Sequence, residues 1–276
     1  MYFEIPILAD FLRACMQPDF YDRIELTSLI CGLLVAVFLT FKKIPYGKTY
    51  TRKTSLLKYE VNDRVAVIIT NLPGPIIFFY SQIFYPNGEL LSIPSLVYLA
   101  HYIHRALIYP WFRKVYSKPW PLESVLYFIV YNFIVGLTVS HTLIFSGKEL
   151  NIYIQLLIAV VCVACAVIAA IHDYYLCSLR SAGDIGYRIP YGMLFKWVSG
   201  PNYLFELIEW CVYAIYMPFG LGLAVYGIWY LTNITGRAES NHDAYTSRKR
   251  IFPSGTKYPD DRAPYIPFVF KSKYLI

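Results

Sequence analysis

Near-continuous apolar stretches long enough to cross a bilayer recur along most of this chain. A helical span needs about 20 predominantly apolar residues, and such segments read at Ile24–Phe41, Val65–Tyr85, Ile93–Phe112, Val125–Phe145 and Ile152–Ile171. Two shorter ones follow at Tyr203–Met217 and Phe219–Leu231. In hydrocarbon only helices and closed barrels satisfy every backbone polar group, and unbroken runs of this length belong to helices. The expected fold is an all-α membrane protein with about seven transmembrane helices. Composition agrees: 16% of the 276 residues are charged, against the roughly one quarter that coats a soluble domain. The 27 Tyr and 18 Phe suit long membrane–water boundaries, where amphipathic rings are favoured. The opening MYFEIPILADFLRAC carries Glu4 and Asp10 and has no basic region ahead of an apolar one. It does not read as a cleaved signal peptide, so the first span is expected to direct insertion.

The net charge of +7 raises the question of nucleic acid, and its distribution answers it. Seven Lys and Arg fall in Lys42–Arg64, three in Arg113–Lys118, three in Arg180–Lys196 and eight in Arg237–Lys273, which is 21 of 25. These are alternate loops. The intervening loops, PNGELLS at Pro86–Ser92 and GKELN at Gly147–Asn151, are short and poor in base. The positive-inside rule makes the basic side cytosolic, with the N-terminus lumenal and the C-terminus cytosolic. Topology thus accounts for the charge, and no nucleic-acid partner is expected. Residues 1–23 read as the lumenal N-terminus, 24–270 as one membrane domain and 271–276 as a cytosolic tail. After Thr232 hydropathy falls into a polar stretch ending IPFVFKSKYLI. The sequon Asn233-Ile-Thr235 lies on the cytosolic side in this scheme and should be unused.

Several chemistries are excluded by what they need. Cys162 and Cys165 have redox or metal spacing, but AVVCVACAVIAA around them is a small-residue helix face made for packing. A membrane di-iron site needs about eight His, and the chain has five; no zinc quartet exists either. The G-x-S-x-G elbow of a hydrolase is missing. Gly220-Leu-Gly222 lacks the third glycine of a dinucleotide fingerprint and sits in a span.

Ionisable residues inside spans are costly and point to function by default. Here they are His101, His104, Arg105, His141, Glu206 and Glu209. Helical spacing puts His101, His104 and Arg105 on one face, and Glu206 with Glu209 on another. A structural ion pair between Arg105 and one of the Glu is the competing account. On the cytosolic side, HDYYLCSLRSAGDIGYRIP (His172–Pro190) offers Tyr174, Arg180, Tyr187 and Arg188 around a Gly turn. GRAESNHDAY (Gly236–Tyr245) adds Arg237, His242 and Tyr245. Arg forks suit phosphate and aromatic rings can stack on a base, although such residues also serve as ordinary membrane anchors.

LFKWVSGPNY (Leu194–Tyr203), ELIEWCVYA (Glu206–Ala214), GRAESNHDAY and YPDDRAPYIPFVF (Tyr258–Phe270) resemble the C-terminal signature of the steroid 5α-reductase family. HYIHRALIYP (His101–Pro110), GDIGYRIPYG (Gly183–Gly192) and YGK (Tyr46–Lys48) are similar to its other diagnostic stretches. The match runs in order from Tyr46 to Phe270, with the signature block at residues 172–270. The resemblance implies seven helices enclosing NADPH and a flat, steroid-like lipid; a monomer in the endoplasmic reticulum membrane is expected. It implies cofactor contacts from Arg105, Asp173, Arg180, Tyr187, Asn202, Glu206 and Tyr245, to which Arg188 and Arg237 are added as phosphate candidates. Tyr102 matches the family's donor to the substrate's 3-oxo group. The family's Glu before Leu-Pro is here Asn71, its Asn ahead of the cofactor Asp is Ala169, and TSRKRIFPSGTK replaces a short acidic link.

The implied reaction is NADPH-dependent reduction of a C=C bond conjugated to a carbonyl, in a 3-oxo-4-ene steroid, with Tyr102 and Asn71 as donors to the carbonyl oxygen. A polyprenol or enoyl-CoA reductase of the same superfamily stays open, as does a weakly active or non-catalytic lipid-binding relative. A transporter would use intramembrane His and Glu for protons, but no inverted repeat supports it.

Overall fold

The computed structural model describes residues 17–41, 57–85, 87–113, 118–146, 149–179, 188–246, 257–259 and 261–267, with positions 10, 13, 14 and 55 besides. Nine α-helices among these residues make seven helical segments. The first is α1 (Pro18–Phe41); the second is α2 (Asp63–Asn71) continued by α3 (Pro73–Phe84). The third is α4 (Ile93–Ile103), a π-helical turn His104–Ile108 and α5 (Tyr109–Phe112). Then come α6 (Leu122–Ser146), α7 (Ile152–Ser178), α8 (Pro201–Tyr213) and α9 (Leu221–Thr246). Among the described residues three stretches are by themselves long and apolar enough to cross a membrane: Asp63–Phe84, Leu122–Phe145 and Ile152–Ser178.

Local chemistry sets the boundaries. Asn62 caps α2, its side chain accepting from the backbone N–H of Arg64 and Val65. Pro73 and Pro75 carry no N–H, so the carbonyls of Ile69 and Asn71 lose their helical donors, and the span is broken at Leu72. Asn151 caps α7 through the N–H of Tyr153 at 2.9 Å. The π turn shifts the helical register at Arg105, a distortion often found where function resides.

One expectation is corrected. The last apolar run does not give way to a tail after Thr232: α9 continues to Thr246. Its 26 residues extend about 39 Å at 1.5 Å each, more than a hydrocarbon core of about 30 Å. The polar end stays helical because it has its own packing: Asn233, Ile234, Ala238, Ser240 and Tyr245 are all buried. Asn233 is a buried helical residue, so its sequon is closed to glycosylation whichever side it faces.

α7 packs along α8, α3 along α6, and α9 against α1. The α3–α6 crossing depends on two glycines, since a Cβ on Gly136 would stand 2.6 Å from the Cα and carbonyl oxygen of Gly74. Gly136→Ala therefore has to push the helices apart beside the Pro73 break. Overpacking of this kind costs about 1–3 kcal/mol, and thermal unfolding of the purified protein in detergent should show that loss.

A short antiparallel ladder joins β1 (Glu60–Val61) to β2 (Trp120–Pro121). Beside it Asp63 receives both Nε and Nη2 of Arg113, at 2.6 and 2.5 Å, and Nε1 of Trp120 at 2.8 Å. Above the helices, a segment after α7 and the chain around Ala263 form a cap through the Val198–Ala263 bridge. Within it Ser199 Oγ accepts from the Tyr258 hydroxyl at 2.7 Å and meets His242 Nδ1 at 2.6 Å. Burial pushes the Tyr258 phenol above its ordinary range, while its bond to Ser199 and the Arg262 guanidinium pull the other way.

Candidate active site

Arg105 projects from the π turn between α7 and α8. Its Nη1 donates to Asp173 Oδ2 at 2.5 Å and its Nη2 to Glu206 Oε2 at 3.2 Å. Arg237, one helix away on α9, lies 3.8 Å from Glu206 Oε1. Asn202 Nδ2 donates to Asp173 Oδ1 at 3.0 Å, and the Tyr230 hydroxyl to the backbone oxygen of Glu206 at 2.9 Å. Asp173, Asn202 and Glu206 are all buried. The cluster ties four helical segments together at one level. His101 and His104 turn to the same neighbours, meeting Glu209 Oε1 at 2.8 Å and the Tyr174 hydroxyl at 2.5 Å. The shared face expected from spacing is thus used in full.

A cavity of about 120 Å³ opens beside this cluster. Asn71, Tyr102, Arg105, Asp173, Asn202, Glu206 and Arg237 all line it, so residues from five separate stretches of sequence meet at one place. Tyr102 is buried at 5% exposure, and its hydroxyl donates to Asn132 Oδ1 at 3.1 Å. Asn132 Nδ2 in turn donates to the carbonyls of Thr70 at 2.8 Å and Phe128 at 3.0 Å. Both bonds need N–H groups, which fixes the amide with its oxygen toward Tyr102. Asn132 also lines the cavity; sequence reasoning passed over it as one polar residue in the apolar helix VLYFIVYNFIVG. The Thr70 carbonyl that Asn132 meets lies at the helix break, between the Ile69 and Asn71 carbonyls that Pro73 and Pro75 leave without helical donors.

Asn71 sits at the end of α2 with its Nδ2 donating to Val67 O at 2.7 Å and, more weakly, toward Thr70 Oγ1 at 3.4 Å. As a donor into the cavity it would have to give up one of these. The other expected residues lie elsewhere. Tyr245 is buried in the cap, stacked on Tyr258 with ring centroids 4.9 Å apart, and is not on the cavity wall. Arg188 is exposed. Arg180 and Tyr187 lie outside the described residues. No group of three or more His, Cys, Asp or Glu suited to a metal ion occurs among the described residues.

The residues present fit the nicotinamide end of a dinucleotide. Asn202 Oδ1 is buried without a hydrogen-bond partner, an acceptor of the kind a carboxamide NH2 satisfies. The two guanidinium groups of Arg105 and Arg237 lie on the same wall.

Within a set of largely apolar helices, a buried Arg–Asp–Glu cluster thus stands beside a tyrosine-lined cavity. A family model described as 3-oxo-5-alpha-steroid 4-dehydrogenase matches residues 118–270, more than half of the chain, and the protein belongs to that family. Among curated relatives, human 3-oxo-5-alpha-steroid 4-dehydrogenase 1 is 29% identical over 256 residues, covering 89% of this chain and 94% of the relative. Tomato (Solanum lycopersicum) Steroid 5-alpha-reductase DET2 is 30% identical over 262 residues, 91% and 98% of the two chains. Macaca fascicularis 3-oxo-5-alpha-steroid 4-dehydrogenase 2 is 30% identical over 254 residues, 88% and 95%.

Proposed function

We propose that this chain reduces the C=C bond of a 3-oxo-4-ene steroid with NADPH, as an integral, multi-pass protein of the endoplasmic reticulum membrane. The observation that carries the reading is the meeting of the Tyr102 phenol with Arg105, Asp173, Asn202, Glu206 and Arg237 around one cavity. The cofactor, when bound, supplies the hydride to the β-carbon. The chain's own part is to hold donors at the carbonyl oxygen, where negative charge develops. Tyr102 is the first donor. Its proton rests on a neutral amide oxygen, and a hydrogen bond to a charged oxygen is roughly twice as strong as one between neutral groups. The phenol therefore gains by exchanging Asn132 for the substrate as charge builds. Such a gain is realised in the transition state and raises kcat.

Asn71 is the second donor in this reading, its amide having no proton to lose. The bond from Asn71 to Val67 O favours a second reading, in which Asn71 only closes the end of α2 and the enzyme is slow or non-catalytic. Purified protein with stereospecifically deuterated NADPH and a 3-oxo-4-ene steroid tests the proposal: deuterium is expected at the β-carbon of the product. A polyprenol and an enoyl-CoA run in parallel identify the superfamily alternatives. NADPH binding without turnover of any of them would replace catalysis with binding.

The basic asymmetry supports a lumenal N-terminus and a cytosolic C-terminus. Because Asn233 is buried, topology is better read from introduced sequons. One placed in a lengthened Pro86–Ser92 loop should be glycosylated in intact membranes, and one after Lys271 should not. The opposite pattern would invert the assignment.

A further inference from the structure

Between α4 and α7 lies a second hollow of about 220 Å³. Arg105, Asp173 and Glu206 line both this hollow and the first cavity, as a wall between them. The other sides carry small apolar residues, Ala100, Cys162, Ala166 and Ala170, together with the rings of His101 and His104. Val163 and Val167 stand at its rim with about half their surface exposed, 49% and 52%. They belong to α7, whose apolar window is 17% buried against 39% and 61% for the other two long spans. The rim therefore opens on the side that faces lipid.

At the inner end is Glu209, 2% exposed. Its Oε1 meets His101 Nδ1 at 2.8 Å, while Oε2 is buried with no hydrogen-bond partner. The reduction described above makes no use of either residue. A buried acceptor left unmet is costly, and the surroundings narrow what could meet it. Buried waters typically make about three hydrogen bonds; the alanines offer none, and His101, His104 and Arg105 are already engaged with Glu209, Tyr174, Asp173 and Glu206. A cation would have to approach the Arg105 guanidinium in an apolar slot. A neutral hydroxyl on an apolar body meets neither obstacle. Flat alanine walls suit a rigid ring face, which loses little conformational freedom on binding.

We propose that this slot binds a lipid alcohol of the sterol kind from the bilayer, its hydroxyl donating to Glu209 Oε2 and its rings lying against the alanines of α4 and α7. The site is separate from the reduction and does not depend on it. The full-length protein in nanodiscs of sterol-free phosphatidylcholine is labelled with a tritiated photoreactive cholesterol analogue, with competing cholesterol, cholesterol methyl ether or dodecanol. Label is expected on α4 and α7. Cholesterol should compete about ten- to hundredfold better than its ether, which can accept but not donate, the range for a hydrogen bond to a charged group. In Glu209→Gln, His101 keeps Oε1 and an NH2 takes the place of Oε2. That group donates to alcohol and ether alike, so the preference should vanish. Ala166→Leu fills the slot and should abolish labelling at an unchanged unfolding temperature, which decides the matter even if Glu209→Gln does not fold. Equal competition by alcohol and ether in the native protein would overturn the proposal. So would label confined to other helices, undiminished labelling of Ala166→Leu, or dodecanol matching cholesterol.

Discussion

Tyr102→Phe is expected to lower kcat for a 3-oxo-4-ene steroid by about 10²–10³, the usual effect of deleting one oxyanion donor, with NADPH binding unchanged. The size follows from how the phenol is held. Asn132 cannot turn its NH2 toward Tyr102 without abandoning the carbonyls of Thr70 and Phe128, so the tyrosine proton is a donated and directed one. Phe keeps the ring, its tilted contact with Tyr98 at 4.8 Å between centroids and the fold, and removes only the hydroxyl. Rapid mixing with saturating NADPH measures the chemical step directly. A native rate in Tyr102→Phe would remove the phenol from catalysis. Asn71→Ala then separates the two readings of the second helix. A fall of the same order with intact NADPH binding makes Asn71 a donor, and Asn71→Glu should match or exceed the native rate. No change in rate, with some loss of stability, leaves Asn71 as the residue that closes α2 at Val67 O.

What could be read from the sequence was whatever depends on the solvent. Hydrocarbon leaves backbone and charge few options, so apolar length marked the helical segments and rare ionisable residues marked Arg105 and Glu206, which do meet; Asp173, the third member of the cluster, was pointed to by the resemblance alone. Features set by a partner far along the chain were not legible. Gly74 and Gly136 look like ordinary span glycines until the helices cross at them. Asn132 carries no charge and sits alone among apolar neighbours, yet it satisfies the broken helix and aims the tyrosine. The extension of α9 was missed because hydropathy reports the bilayer rather than the helix. Beyond Thr232 the helix is held by packing under the cap, and hydropathy has no term for that. Tyr245, which the resemblance puts at the cofactor, lies in the cap stacked on Tyr258, away from the cavity wall that Tyr102 and Arg105 share. Where a cap residue lands depends on the path of the loops, which no local pattern encodes.

The competing account of Arg105, a structural ion pair, predicts a different response to substitution than a cofactor contact does. Arg105→Met leaves Asp173 and Glu206 buried without their guanidinium, Asp173 keeping Asn202 and Glu206 keeping Arg237 at 3.8 Å. Removing one member of a buried ionic group costs about 3–5 kcal/mol, a large share of the roughly 5–15 kcal/mol that holds a domain folded. A steep fall in unfolding temperature is expected, and NADPH binding would fall with it for either cause. Arg105→Lys should be intermediate, since a point charge cannot serve both carboxylates as the fork does. The decisive protein is the neutral triple variant, Arg105→Met with Asp173→Asn and Glu206→Gln. The costly part of the single change is the uncompensated buried charge, which the Asn and Gln remove, so the triple variant's unfolding temperature should return toward the native one. If Arg105 and the carboxylates contact the nicotinamide half, NADPH affinity should stay low, by about ten- to hundredfold for one lost charge-assisted bond. Recovery of affinity together with stability would mean that the cluster braces the helices and the cofactor is held by other residues. The carboxamide acceptor Asn202 Oδ1, left unpaired by the protein itself, favours the first outcome, because a purely structural cluster has no reason to leave that atom open.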